Sequence, residues 1–449
     1  MARLTLPSPA SAGGDTNGQR YSVGALLLAA TIPLVFLHVM YQPKLAFGVA
    51  GTSVDLALSD VAIAVVVVAA LFRLHRDGLG VLRAAALPLA AAGVFLALIF
   101  ASCFLPVLRN QDYALAASLV TAAKFAWYAL LAPATIVLVA RREEGVLLLR
   151  TMIAWSAVAT TWGALQFLGV VNEFEGKRPG QREPSFLGIH DLAALSGAAL
   201  TLGLIGVLLR GEPVGRRWSA GAIAVGGLGL VLSGAMAGVI GVWLATAAAI
   251  AVAYRVGRPS KRAVAVVAAV LVAVALGTSA MRATALERFA EFLGIRQHQE
   301  QTGGIQSYAH RTLLGYIGVR IFLDHPLTGV GWQASASDFA YTPHLAAARR
   351  RFPSEPAQAF PSPEHRWGVQ NAYIQTLADL GVVGLLALLA AFGSALVTGV
   401  RRARVTPLAL VGVAWLLVAS GVWLGLGLIA GIPLAALTWI AFGLTSSRA

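Results

Sequence analysis

The side chains best able to do chemistry lie in one stretch, residues 281–370, a polar and arginine-bearing insert between two long apolar runs. Within it, Leu313, Leu314, Ile317, Ile321 and Phe322 predict a helix over Tyr308–Leu323 lying at a membrane surface, with Arg311 and Arg320 on its polar face. Asp324-His325-Pro326-Leu327-Thr328-Gly329-Val330-Gly331 stops that helix, because proline cannot continue it and glycine permits tight turns. Residues 332–366, rich in Pro, Ala and Arg and including Arg349-Arg350-Arg351, show no clear period and are expected to form a mobile lid or acceptor-contacting loop. The next helix opens with Gln370, Asn371, Tyr373 and Gln375 and turns fully apolar from Val382. Polar groups entering a membrane are costly unless they face a cavity, so these four are expected around a watery site at the outer leaflet.

The elements that must position them are membrane helices. Hydrophobic residues make up 58% of the chain and charged residues 12%, with mean hydropathy +0.75, outside the range of a soluble domain. Apolar runs long enough to cross ~30 Å of hydrocarbon can be read at roughly 21–40, 53–72, 83–104, 114–140, 147–170, 186–209, 219–234, 235–254, 263–280, 371–398, 406–425 and 427–445, about twelve spans. The run 219–254 is divided at Ser233-Gly234-Ala235-Met236-Ala237-Gly238. The expected fold is all-α and polytopic, with one large outer loop holding short helices. It divides into a disordered N-terminal segment (1–20), helices 1–9 (21–280), the loop (281–370) and helices 10–12 with a short C-terminus (371–449).

Basic residues set the expected orientation, since short cytoplasmic loops retain Lys and Arg. Arg73/Arg76, Arg141/Arg142, Arg210/Arg216/Arg217, Arg255/Arg258/Lys261/Arg262 and Arg401/Arg402/Arg404 fall in alternate loops, and the opposite short loops are nearly bare. Both termini are then cytoplasmic and the insert faces outward. The same clusters meet anionic headgroups and account for most of the +14 net charge, so membrane lipids rather than nucleic acid are the expected partner. The apolar run after residue 20 reads as a retained first helix, too long for the core of a signal peptide. One cysteine, Cys103, excludes an intramolecular disulfide. No HExxH, P-loop, clustered His/Cys pattern or strong repeat is present.

Arg311, then Arg320-Ile321-Phe322-Leu323-Asp324-His325-Pro326-Leu327-Thr328-Gly329-Val330-Gly331, a variable loop, and Asn371-Ala372-Tyr373-Ile374-Gln375-Thr376-Leu377-Ala378-Asp379-Leu380-Gly381-Val382-Val383-Gly384 together resemble the O-antigen ligase and polymerase superfamily. The span layout extends the resemblance across the chain; Ser59-Asp60, Pro184-Ser185-Phe186 and His190-Asp191-Leu192-Ala193 add to it. The resemblance implies a metal-independent glycosyltransferase of the bacterial cytoplasmic membrane, with no cofactor. It would move a glycan from undecaprenyl pyrophosphate onto an acceptor hydroxyl, the acceptor being a glycan, lipid or protein. Arginines would then neutralise the pyrophosphate, since a guanidinium fork pairs two phosphate oxygens and stays charged.

On that resemblance Arg311 is the expected pyrophosphate ligand, set against an interfacial arginine reaching headgroups, and Arg320 is second. Lys177, Arg178 and Arg182 stand where outer loops are otherwise poor in positive charge; Arg182 either binds phosphate or pairs with Glu173, Glu175 or Glu183. Lys124, inside a span, needs either a cavity or a structural partner. His190 and Asp191 orient a sugar or phosphate or simply begin a helix, and Tyr373 and Trp332 stack on sugars or join an aromatic belt. The family's ligases carry a histidine before the asparagine, suited to take the acceptor's proton; here Gln370 stands there and cannot. His365, Glu364, Asp379 or no base at all are the alternatives. Met236 stands where the family segment carries an arginine. A transporter or flippase of lipid-linked glycan, and an inactive member scaffolding exopolysaccharide assembly, are the competing functions.

Overall fold

The computed structural model describes residues 21–49, 51–172, 174–257, 259–293, 295, 307–429 and 431–448. The expected disordered segment 1–20, Arg258 and Glu173 lie outside the described residues.

The chain is mostly helical: α1 (Val23–Val35), α2 (Leu58–Asp77), α3 (Ala86–Ser102), α4 (Leu105–Leu108), α5 (Leu115–Ala129), α6 (Leu131–Leu138), α7 (Arg142–Phe167), α8 (Ile189–Leu208), α9 (Arg216–Ser233), α10 (Met236–Val256), α11 (Lys261–Met281), α12 (Ala283–Phe292), α13 (Ser307–Asp324), α14 (Asp338–Arg351), α15 (Ala372–Arg402), α16 (Pro407–Val422) and α17 (Ile432–Thr445). Among the described residues, eight helical segments are long and apolar enough to cross a membrane, and α1, α16 and α17 are shorter apolar helices. A polytopic membrane fold follows; length and composition alone give eight crossings rather than the expected twelve.

Helix α8 is the centre of the bundle, with nearly its whole length buried against α9, α10 and α16. Its Gly- and Ala-rich sequence lets neighbouring backbones approach closely, the usual basis of tight packing between membrane helices. The Trp415 indole N–H closes the contact from α16 onto the Ala198 carbonyl at 2.9 Å.

Two expectations are corrected. The span expected from residue 53 starts later: Lys44–Val49 and Thr52–Ala57 form an antiparallel hairpin (β1, β2) ahead of α2 in an otherwise helical fold. Residues 53–57 read as the start of an apolar span, but they alternate opposite 44–49, and the Lys44–Asp55 ion pair (2.8 Å) ties the two strands. Helix α2 therefore begins at Leu58, where the Asp60 carboxylate accepts the Ala57 N–H. The stretch 332–366 is not one irregular loop either, because it contains α14. That helix buries Ala340, Tyr341, His344 and Ala348, a helical spacing built from small and polar residues and interrupted by Pro343, so hydrophobic periodicity does not reveal it.

Helix α13 forms where expected and ends into a backbone clasp on α15. The Val330 and Gly331 N–H groups donate to the Ala378 and Asp379 carbonyls, and the Val382 and Val383 N–H groups donate to those of Pro326 and Leu327. These bonds satisfy the backbone groups freed where α15 breaks at Gly381 (φ 65°, ψ −166°). A Cβ at Gly381 would lie 2.3 Å from the Leu327 carbonyl carbon, and one at Gly329 (φ 65°) 2.3 Å from that of Asp379, so neither site admits a side chain. The fully buried Asp379 carboxylate completes the joint, accepting the N–H groups of Gln333 and Ser335 and the Gln375 amide.

Candidate functional site

Six segments converge on one cavity of about 990 Å³: the loop before α8 with His190, the α9–α10 break, the α11–α13 region, residues 351–354 at the end of α14, the opening of α15, and Leu424 and Gly425 after α16. The break is at the expected place. Helix α9 ends at Ser233, Gly234 is left-handed (φ 58°), and α10 starts at Met236. The preceding loop is pinned beside it: the Glu183 N–H donates to the Leu232 carbonyl (2.8 Å), and Ser185 Oγ donates to the Ala159 carbonyl (2.7 Å). Arg182 is thereby held against Gly234, where an added Cβ would meet Arg182 Cβ at 3.1 Å and Arg282 Cδ at 3.2 Å.

Four arginines line this space. Arg182 comes from the loop, Arg282 from the α11–α12 junction and Arg311 from near the start of α13, while Arg351, at the end of α14, is exposed at its edge. Arg282 is only 8% exposed, and its guanidinium lies 4.9 Å from the centre of the Tyr308 ring, a cation–π contact that leaves Nε without a hydrogen-bond partner. Arg311 donates through Nε to Gln370 Oε1 (3.1 Å) and through Nη2 to His190 Nε2 (3.0 Å). A guanidinium has only donors, so the imidazole nitrogen facing it accepts and the ring proton sits on Nδ1.

No carboxylate is found among the described residues lining the cavity. The electrostatic consequence is visible in the loop and α13. Burial first, and then Arg282 and Arg311, push Arg182 down to about 10, and burial followed by Arg282 lowers Arg311. Lys177 is lowered by burial and by Arg182. Like charges are being held together out of water, an arrangement that a polyanion would relieve. The remaining wall is largely apolar, formed by Met236, Ala237 and Ile240 of α10, Phe289 and Phe292 of α12, and Gly315 and Val319 of α13.

Of the residues singled out in the sequence, Arg182, His190, Arg311, Gln370 and Asn371 meet at this cavity. Asn371 also caps α15, accepting the Tyr373 and Ile374 N–H groups and donating to the Leu424 carbonyl. The others point elsewhere. Asp191 turns away from His190 to accept the Leu434 N–H of α17. The Tyr373 hydroxyl donates to the Ser420 carbonyl, and Gln375 is buried between Leu428 and Asp379 rather than facing water. Trp332 is fully buried, with its indole N–H on Thr121 Oγ1, and offers no face to a sugar. Lys124 takes the structural alternative, donating to the Asp55 carbonyl and pairing with Asp60 at 3.4 Å. Arg178 and Arg320 are exposed and outside the cavity. So is His365, whose ring stacks on Trp367 at 5.9 Å. Asp379 is consumed by the clasp.

Arg282 and Tyr308 were missed in the sequence. Arg282 terminates an apolar helix on the side expected to be poor in basic residues, the same signal that marked Arg182, but it was absorbed into the insert. It places positive charge at the very break where Met236 carries none.

Residues 220–389 match the family model described as O-Antigen ligase, which supports the O-antigen ligase and polymerase superfamily. The matched segment holds Arg282, Arg311, Gln370 and Asn371, whereas Arg182 and His190 precede it. No match is found among curated proteins. The chain is thus similar over that segment to O-antigen ligases, and its apolar helices are those of a multi-pass membrane protein.

Proposed function

Taking residues 220–389 as an O-antigen ligase segment, we propose that the chain transfers a glycan from a polyprenyl-pyrophosphate carrier to an acceptor hydroxyl at the outer face of the membrane, with both termini on the cytoplasmic side. The observation that carries the proposal is the convergence of Arg182, Arg282 and Arg311 on a cavity lined by no carboxylate among its described residues and walled by apolar side chains. The polyprenyl tail would lie against Met236, Ile240, Phe289 and Val319, placing the pyrophosphate at the arginines.

Transfer breaks the bond between the sugar's anomeric carbon and the phosphate oxygen. The electron pair goes to the pyrophosphate, and the acceptor oxygen bonds to carbon. Guanidinium groups gathered at the leaving oxygen stabilise that charge. The acceptor's proton needs a lone pair, and Gln370 spends its oxygen on Arg311. His190 Nε2 opens on the cavity and is held only by Arg311. When a pyrophosphate pairs that guanidinium, its negative charge offsets the arginines that otherwise oppose an imidazolium, and Nε2 can accept the proton. Orientation is supported by the alternation of basic loops.

The test is transfer by the reconstituted protein, supplied with lipid-pyrophosphate glycan extracted from its source cells and followed by glycan mobility. Transfer by wild type that disappears in Arg282→Ala and Arg311→Ala supports the reading. Unchanged donor with the full set of acceptors present would sink it.

A further inference from the structure

Beyond the arginines the site continues into a second, smaller cavity of about 580 Å³, which shares Arg182, Arg282 and Tyr308 with the first. Helix α12 separates the two: Phe289, Phe292 and Leu293 toward its end face the apolar cavity, while Thr284, Ala285 and Arg288 nearer its start face the annex. A carrier whose lipid fills the first cavity and whose pyrophosphate sits at the shared arginines would direct its sugars into the annex.

The annex adds Lys177 and Arg288 to the two shared arginines, and its described lining again contains no carboxylate. Glu175, Glu183 and Glu287 are not among its described lining residues. Glu175 Oε1 lies where a Cβ on Gly188 would meet it at 3.0 Å. Lysine and arginine are donors without any acceptor, whereas a neutral sugar presents hydroxyls that both donate and accept. Four cations around one polar space therefore suit a group that only accepts and carries negative charge. Burial lowers Lys177 first, and Arg182 and Arg282 lower it further against the opposing pull of Glu175 and Glu183.

We propose that the annex is a saccharide subsite for an anionic sugar, one bearing a carboxylate or phosphate, near the reducing end of the donor's glycan. This rests on the glycan-transfer reading and narrows its substrate to acidic glycans.

The experiment measures binding to the purified full chain in nanodiscs of zwitterionic lipid, using trigalacturonate, the same trisaccharide with its carboxyls reduced to alcohols, and inorganic pyrophosphate. The acidic trisaccharide should bind roughly tenfold more tightly than its neutral counterpart, about 1.4 kcal/mol. The Lys177→Ala/Arg288→Ala double variant should lose that preference while binding pyrophosphate as wild type does, which also reports an intact fold. Equal binding of the two trisaccharides, no binding of either, or a preference that survives in the variant would overturn the subsite. Failure of pyrophosphate to bind wild type would instead strike the transfer reading beneath it.

Discussion

At the scale of single residues, the site trades stability for recognition. Burial and its arginine neighbours push Arg182 down to about 10, below the ordinary guanidinium range, so folding disfavours its charged form. That penalty is fully present at pH 7 and is relieved only as the pH rises from about 10 toward the ordinary guanidinium value. Arg182→Gln removes it and should raise the stability of the ligand-free protein by about 0.5–2 kcal/mol in thermal or denaturant unfolding. Wild type should gain about 2.7 kcal/mol from pyrophosphate at a hundred times its dissociation constant, and the variant much less. A variant less stable than wild type without ligand would contradict the argument. In catalysis, Arg282→Ala should lower the transfer rate by about 10²–10³-fold, as for loss of one preorganised donor to a leaving oxyanion. His190→Gln should lower transfer while leaving pyrophosphate binding in place, and His365→Ala should change neither. Loss of transfer in the His365 variant alone would move the base to the loop.

The chemistry at this scale was only partly legible. Arg311 and Arg182 stood out as charges in unexpected places, whereas Arg282 looked like one more arginine of a polar insert. Its role depends on a break at Gly234, forty-eight residues earlier, and a sequence does not show which distant turn a side chain will reach. The same gap explains Trp332, Tyr373 and Gln375. Their types suit a sugar site, but their partners Thr121 and Ser420 belong to other helices and Leu428 to the connection between α16 and α17.

At the scale of elements, the clasp between the end of α13 and the break in α15 fixes the entry of α15 and hence Gln370 and Asn371. Both of its motifs were visible, but their pairing is made through backbone atoms about fifty residues apart, which side-chain patterns do not encode. Gly381→Ala should be severe. It places a Cβ inside contact distance of the Leu327 carbonyl and forces a left-handed residue, so the combined cost should be at least 2–3 kcal/mol. Unfolding in detergent would show it as an earlier midpoint together with lost transfer. Thr312→Ala, on a residue that touches the cavity but not the clasp, should leave the midpoint within about 0.5 kcal/mol of wild type. Equal midpoints for Gly381→Ala and wild type would mean the clasp does not hold the fold.

At the scale of the whole molecule, composition and hydropathy were enough to read a helical membrane protein, and the break at 233–236 fell where the small residues cluster. The hairpin was not legible, because its alternating residues also pass for the edge of an apolar run. Orientation is open to direct test, since the single cysteine, Cys103, is completely buried and should stay silent to thiol reagents. An impermeant reagent applied to intact cells should label Glu364→Cys, on an exposed stretch of the insert, and should label Arg217→Cys, exposed at the start of α9, only after permeabilisation. The reverse pattern would invert the protein and place the arginine cavity on the cytoplasmic side.

The clasp also sets where the chain can change length. An added residue within 326–335 or 378–383 would slip the backbone register that joins α13 to α15 and displace every bond in the joint. The stretch between them returns to the cavity at Arg351, Phe352, Pro353 and Ser354, on the side away from the annex. Insertions just beyond Ser354 would reshape that wall while the arginines kept their places. On the glycan-transfer reading, the fold would thus separate a fixed half of the site, holding Arg182, Arg282 and Arg311 at the carrier, from a half open to remoulding for different acceptors.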